Sequence, residues 1–216
     1  MIKKHLLVVG PFQCNCTILI CEKTKEALVI DAGDEFSKIQ NFCQKEGAIL
    51  KYSIHTHAHL DHIGAVRPLK AWSPSTQILL HKDDEWLYQN LPMQGQLFGM
   101  EYDDPPPINY YIQDSEHLKF GEYSFSVIHT PGHSPGGVCL YFKENDLEKT
   151  PAVFSGDTLF DHSIGRTDLW GGDYHQLSKS IKERLFCLDE QTKVFPGHGP
   201  STFIGLESKE NPFMNG

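Results

Sequence analysis

The sequence predicts an α/β protein, a four-layer αββα sandwich of two mixed β-sheets flanked by helices, on two observations. Short strand-like runs arrive in series in each half of the chain, and amphipathic helical segments fall between the series rather than alternating one for one with strands. That order favours two packed sheets over one doubly wound parallel sheet. The 216 residues, 39% of them hydrophobic, provide for one substantial core. With no low-complexity tract and no internal period, a single domain over residues 1–216 is expected.

The first strand signals are residues 6–9, 17–21 and 27–30, apolar or β-branched runs broken by Gly10-Pro11, Glu22-Lys23 and Ala32-Gly33-Asp34; they predict a meander. Phe36, Ile39, Phe42 and Cys43 then recur at helical spacing behind Asp34, a candidate N-cap. Residues 49–54 return to strand character, 65–72 to helix, 77–80 to a buried strand and 83–91 to a short helix. The proline run from Asp104 to Ile108 predicts an exposed loop inside the domain. Strands follow over 124–129, 138–142 and 152–154. Leu177, Ile181 and Leu185 mark the apolar face of a helix behind Asp173, and 193–195 reads as the last strand. Pro131-Gly-His133 and Pro196-Gly-His198 repeat one tripeptide, each just after a predicted strand.

A net charge of −9, from 19 basic and 28 acidic residues, argues against nucleic acid as a partner, because no basic patch reverses the sign locally. Lys3-Lys4 precede an apolar run over 6–9 that is far too short for a signal-peptide core or a membrane span. A cytoplasmic protein without membrane contact is therefore expected; oligomeric state is not legible. Cys14, Cys16, Cys21, Cys43, Cys139 and Cys187 show neither a metal C-x-x-C spacing nor the density of a disulfide scaffold, and are expected to be reduced and mostly buried.

Histidine stands out: 12 in the chain, four of them at 55, 57, 59 and 62. Thr56-His-Ala-His-Leu-Asp-His62 packs three imidazoles and a carboxylate at the end of a predicted strand, which is poor core material. A neutral imidazole offers a free nitrogen lone pair near pH 7 and a carboxylate supplies negative charge, so the pattern points to bound cations. Alternate residues of an extended segment face one side. His57 and His59 can therefore share one ion while Asp61 and His62, past a bend, face a second. His133, His198 and Asp157 each sit in a glycine-containing turn after a predicted strand and are candidate further ligands.

These residues carry a resemblance. His57-Ala-His-Leu-Asp-His62 matches the H-x-H-x-D-H signature of the metallo-β-lactamase superfamily, with His133, Asp157 and His198 in the family's order. Gly156-Asp-Thr-Leu-Phe160, Gly165-Arg-Thr-Asp168, Phe195-Pro-Gly-His-Gly-Pro-Ser201 and Asn211-Pro-Phe213 resemble the short, single-domain bacterial glyoxalase II (hydroxyacylglutathione hydrolase)-like proteins, over residues 12–213. The resemblance implies one divalent ion on His57, His59 and His133, a second on Asp61, His62 and His198, and Asp157 bridging them. Zinc is the first expectation, with iron or manganese as alternatives. The implied activity is hydrolysis of S-2-hydroxyacyl-glutathione, such as lactoylglutathione, or of a related small thioester. Asp61 would then be catalytic, holding the proton of the nucleophile. His162 and Arg166, in the loop after Asp157, are candidate substrate-binding residues within reach of a substrate anion; Arg166 stands where the family carries a basic residue toward glutathione, and it reads equally as a structural salt bridge.

Two other readings compete. The persulfide dioxygenases also resemble this chain and use one Fe(II), here on His59, His133 and Asp157, yet they typically lack a glycine-framed last histidine such as that of Pro196-Gly-His-Gly-Pro200. A non-catalytic metal-binding module would predict a broken ligand set, and no position is broken. The remaining histidines, His5, His81, His117, His129 and His175, are expected on the surface or in strands. His55 is read as a core imidazole or as a hydrogen-bonding support behind a ligand. The 18 residues after His198 (216 − 198) leave no room for the helical domain that full-length glyoxalase II proteins place against glutathione, so weak binding of that tripeptide is expected.

Overall fold

A computed structural model describes residues 1–143 and 150–214. The chain opens with a three-stranded meander, β1 (Ile2–Val9), β2 (Cys14–Cys21) and β3 (Glu26–Ile30). It continues through α1 (Phe36–Glu46), β4 (Ile49–Ile54), α2 (Leu60–Ile63), α3 (Val66–Trp72) and β5 (Gln77–His81). A 3-10 turn, Lys82–Asp84, leads into α4 (Glu85–Gln89), α5 (Leu91–Leu97) and β6 (Tyr110–Ile112). The second half comprises β7 (His117–Phe120), β8 (Tyr123–His129), β9 (Val138–Phe142), β10 (Ala152–Gly156), a small hairpin of β11 (Leu159–Phe160) and β12 (Ser163–Ile164), α6 (Tyr174–Ser180), β13 (Lys193–Pro196), β14 (Thr202–Phe203) and α7 (Ile204–Glu210). One turn of π-helix, Ile181–Leu185, extends α6.

Two six-stranded sheets result, ordered β1-β2-β3-β4-β5-β6 and β14-β13-β10-β9-β8-β7. Both are mixed: β3 to β6 run parallel behind the meander, and β10 pairs parallel with β13. The period of two along β2 shows why they stack. Leu19 and Cys21 face Leu28, Ile54, Phe125 and Phe142 in the inter-sheet core, while Ile18 and Ile20 join Ile39, Cys43 and Leu69 under α1 and α3. A strand buried on both faces needs layers on both sides. Across the second sheet, Cys139, Val153 and Val194 pack under Leu177, Ile181 and Leu185 of the α6 segment. The four-layer αββα sandwich is thus the observed architecture.

Several local expectations need correction. Asp34 does not cap α1: the N-cap is Glu35, in the left-handed region at φ 47°, and Asp34 Oδ1 accepts only the adjacent Glu35 N–H at 2.5 Å. Residues 83–91 are not one helix, because Asp84 turns inward at the 3-10 turn and Pro92 opens α5, where its missing N–H costs nothing. Residues 193–195 are not the last strand, since β14 follows and pairs antiparallel with β13. Five cysteines are buried and only Cys187 is exposed, all of them free thiols. Among the described residues no helix is long and apolar enough to cross a membrane.

Candidate metal centre

Strand direction brings the ligand candidates together. β8 runs antiparallel to β9 and β9 antiparallel to β10, so β8, β10 and β13 share one direction and end on one edge of their sheet. His133, Asp157 and His198 follow those three ends. His57 and His59 follow the end of β4 in the other sheet, and Asp61 and His62 lie on α2, whose N-cap is His59. The edge where both sheets deliver carboxyl ends is the natural place for a site.

The donor atoms converge closely. His57 Nε2 lies 3.2 Å and His59 Nδ1 2.8 Å from His133 Nε2. His198 Nε2 is 3.3 Å from His62 Nε2 and 3.2 Å from Asp61 Oδ2. Donors held about 2.0–2.1 Å from a tetrahedral ion stand about 3.3–3.4 Å from one another, so both triads are close to the edge length that an ion imposes. Asp157 touches both: Oδ2 is 3.6 Å from His133 Nε2 and 3.5 Å from His198 Nε2, and Oδ1 is 3.4 Å from His62 Nε2. Asp157 Oδ1 is buried and makes no hydrogen bond among the described residues, which is costly for a carboxylate oxygen unless a cation satisfies it. Gly197 is required here, because a Cβ at that position would stand 2.2 Å from Asp157 Oδ1 and 2.7 Å from the His62 ring. Gly132, at φ 137°, is required in the His133 turn for the same reason, because a Cβ there would stand 2.2 Å from Leu177 N.

The electrostatics suit cations. Burial, reinforced by His62 and His133, holds His57 well below its ordinary pKa, and burial with His133 takes His59 down to about 3; both rings present lone pairs at neutral pH. Asp61 is held well below the usual carboxylate range, although burial opposes ionisation, by His62 and His198. Burial also opposes charge on His62, yet its proton affinity is raised by Cys14 and by Asp157, Asp61 and Asp31. Because burial pushes the Cys14 thiol itself up to about 12, that thiol is neutral near pH 7 and the three carboxylates carry the effect. The field that favours a proton on His62 is one that a divalent ion would neutralise instead.

A second layer of residues, of which the sequence singles out only His55, holds the ligand loops. Asp31 accepts from Thr56 N at 2.7 Å and Thr56 Oγ1 at 2.8 Å, and its Oδ2 sits 3.0 Å from His62 Nδ1. Asp84, fully buried, accepts from Ala58 N at 3.0 Å, Ser134 Oγ at 2.8 Å and Gly136 N at 2.6 Å. Gln94 accepts from Leu60 N at 3.1 Å and donates to Ala58 O at 2.9 Å. His133 Nδ1 donates to the Arg166 carbonyl at 2.7 Å, which leaves Nε2 as its lone pair. His55 is buried, with Nδ1 donating to the His62 carbonyl at 2.9 Å and Nε2 3.2 Å from Ser53 Oγ; it is both a core residue and a support. Of the other histidines, His81 and His129 stack on each other at 4.1 Å, and His129 Nε2 donates to the Pro135 carbonyl.

A cavity of about 200 Å³ opens over the cluster. His59, Asp61, His133, Asp157 and His198 form its floor, and Phe12, Leu60, Gln94, Phe98, Arg166, Leu169 and Trp170 form its walls. The guanidinium of Arg166 is doubly bonded to Asp168, Nε to Oδ1 at 2.7 Å and an η nitrogen to Oδ2 at 2.8 Å. His162 is not in the wall. It stands in the left-handed region at φ 51°, half-exposed, its N–H donated to Glu207 Oε2 at 3.1 Å, because the tight β11–β12 hairpin turns it away.

The sequence profile of the Metallo-beta-lactamase superfamily matches residues 9–198. The chain belongs to this superfamily. Within it, the hydroxyacylglutathione hydrolase GloC of Haemophilus influenzae is 36% identical, over 98% of this chain and 97% of its own length. The crystal structure of the B3 metallo-beta-lactamase BLEG-1 matches with a TM-score of 0.89 at 36% identity, covering 99% of this chain and 100% of that one. A second superfamily structure, TTHA1623 in a di-iron-bound form, matches with a TM-score of 0.86 at 39% identity, covering 97% and 99%. The chain is accordingly a metal-dependent hydrolase by family.

Proposed function

We propose that the chain is a binuclear thioester hydrolase, with S-2-hydroxyacyl-glutathione as the reference substrate and zinc or iron as the metal. His57, His59 and His133 would hold one ion, Asp61, His62 and His198 the other, and Asp157 would serve both. Ions held there would supply a nucleophile at neutral pH by lowering the pKa of a bound water toward about 7. Asp61, ionised and at the cavity floor, would accept a hydrogen bond from that water and so orient it toward the carbonyl. The observation that carries the thioester assignment is the composition of the cavity wall. Among the described residues, outside the seven ligands, it presents apolar side chains, one amide and one guanidinium, none of which is a proton donor with a pKa near 7. A thiolate leaves with a pKa of about 8.5 and needs little acid assistance, whereas an amine does. The 36% identity to a hydroxyacylglutathione hydrolase over nearly the whole chain supports the same reading.

A second reading, lactam opening, is favoured by the likeness to BLEG-1; the missing proton donor weighs against it. Metal analysis after purification, paired with a panel of lactoylglutathione, a persulfide and a β-lactam, tests the assignment. Two ions per chain with thioester cleavage is the expected result. One iron with oxygen consumption on the persulfide, or lactam cleavage without thioester cleavage, would replace it.

A further inference from the structure

The wall of the cavity is more specific than its floor. Phe12, on the β1–β2 turn, and Phe98, at the C-terminal end of α5, come from distant parts of the chain and meet edge to face, centroids 5.4 Å apart at 84°. Both remain markedly exposed, 39% and 44%, although an aromatic ring in water forgoes most of its burial energy. Trp170 faces the floor on another side, its ring centroid 6.1 Å from that of His59, with Leu60 and Leu169 completing the apolar surface. Among the described residues Arg166 is the only lysine or arginine in the wall, and Asp168 neutralises it through two of its nitrogens. Glutathione carries two carboxylates and an ammonium, and this wall offers them one cation that is already paired. A charged tripeptide and an aromatic wall are poor complements, since burying unpaired charge is penalised.

We infer that Phe12, Phe98 and Trp170 form a subsite for an apolar arm of the substrate, so that the enzyme prefers thioesters bearing an aryl or alkyl group over those of glutathione. The inference rests on the thioesterase reading for its chemistry but not for its binding site. Rings that meet edge to face across a cleft can open to admit a third ring between or beside them, and the added contact is of the aromatic-pair kind. The energy gained at a distance from the scissile carbonyl holds the ester over the floor.

The test compares the zinc-loaded protein with its Phe12→Ala, Phe98→Ala and Phe98→Leu variants. KM is measured for lactoylglutathione and for the S-benzyl thioester of lactic acid, and calorimetry follows binding of (benzylthio)acetate (benzylthioacetate), a thioether carboxylate with no thioester to cleave. Expected are a benzyl-ester KM at least about 10-fold below that of the glutathione ester, a loss of most of that ratio in Phe12→Ala and Phe98→Ala, and partial retention in Phe98→Leu. Benzylthioacetate affinity should fall in parallel. Equal KM values for the two esters, or a ratio that the alanine variants leave intact, would overturn the subsite while the thioesterase reading stands. Phe98-dependent binding of benzylthioacetate with no ester cleaved would leave the subsite standing and remove the thioesterase reading.

Discussion

Replacing Asp84 should damage one ion's ligand triad and spare the other. Its carboxylate accepts from the N–H of Ala58, between His57 and His59, and from Ser134 and Gly136, just past His133; all three partners border the same triad. Asp84→Ala leaves three buried donors without an acceptor, at about 1–3 kcal/mol each. Part of that is offset, because burial pushes the Asp84 carboxyl above its ordinary pKa and removing a poorly solvated charge is favourable. A net loss of about 3–5 kcal/mol follows, a large share of the roughly 5–15 kcal/mol that stabilises a domain. Supports of metal ligands are worth about 10–100-fold in affinity, and that loss should fall on the His57–His59–His133 triad. Asp84→Asn is the informative variant. With its oxygen in the Oδ2 position it keeps Ala58 and Ser134 but turns an NH2 toward the Gly136 N–H, so its effect should be intermediate. Zinc titration against a chromophoric chelator, with urea unfolding of the metal-free protein, reads both quantities. Two binding steps weakened equally, or neither weakened, would refute the assignment of Asp84 to one triad.

Three further outcomes are expected. Asp157→Ala removes a donor from both triads and should abolish binding of at least one ion and nearly all hydrolysis, whereas His162→Ala, outside the cavity, should change kcat/KM by less than about 3-fold; comparable losses in the two variants would contradict the bridging role. Gly197→Ala places a methyl 2.2 Å from Asp157 Oδ1 and should lower metal stoichiometry even though alanine is the smallest possible addition, a result that elemental analysis reads directly. Glu26 accepts the Gly121 N–H at 2.7 Å and pairs with Lys51 at 3.4 Å, which together hold its carboxyl below the ordinary 4.5. Its unfolded form therefore binds the proton more tightly, so the stabilisation is complete above about pH 4.5 and disappears as pH falls through the lower folded value. Urea transitions of Glu26→Gln should show a deficit at pH 7 that shrinks in acid; a deficit independent of pH would exclude the charge as its cause.

The seven ligand candidates were legible because metal chemistry is written in residue type and short-range spacing, and glycine-framed turns after strands are local features. Their supports were not. Asp31, Asp84 and Gln94 act on residues 25 to 52 positions away, and a lone carboxylate or amide has no local pattern to distinguish it from any polar side chain that faces solvent. The β3 end, Asp31-Ala-Gly33, held the one available signal, a strand finishing on a carboxylate as β10 does. α5 was missed because Leu91-Pro92 reads as a stop, when proline is equally at home in the first turn of a new helix. β6, β7 and β14, of two to four residues, are too short to display a period. Arg166 could be placed near the site but not assigned, since only coordinates reveal that Asp168 has claimed its guanidinium.

The edge that gathers the ligands has a consequence for how the chain comes to its final form. His57 to His62 belong to one sheet and His133, Asp157 and His198 to the other, so neither half of the chain holds a full complement of donors. An ion bound across them would act as a rivet between two plates. It can tighten only after the plates have met, and its binding energy is then spent on keeping them together. Metal should accordingly slow the opening of the sandwich far more than it hastens its assembly, a signature of contacts made late in folding. In a cell short of metal, the protein would persist as a correctly woven but loosely fastened sandwich.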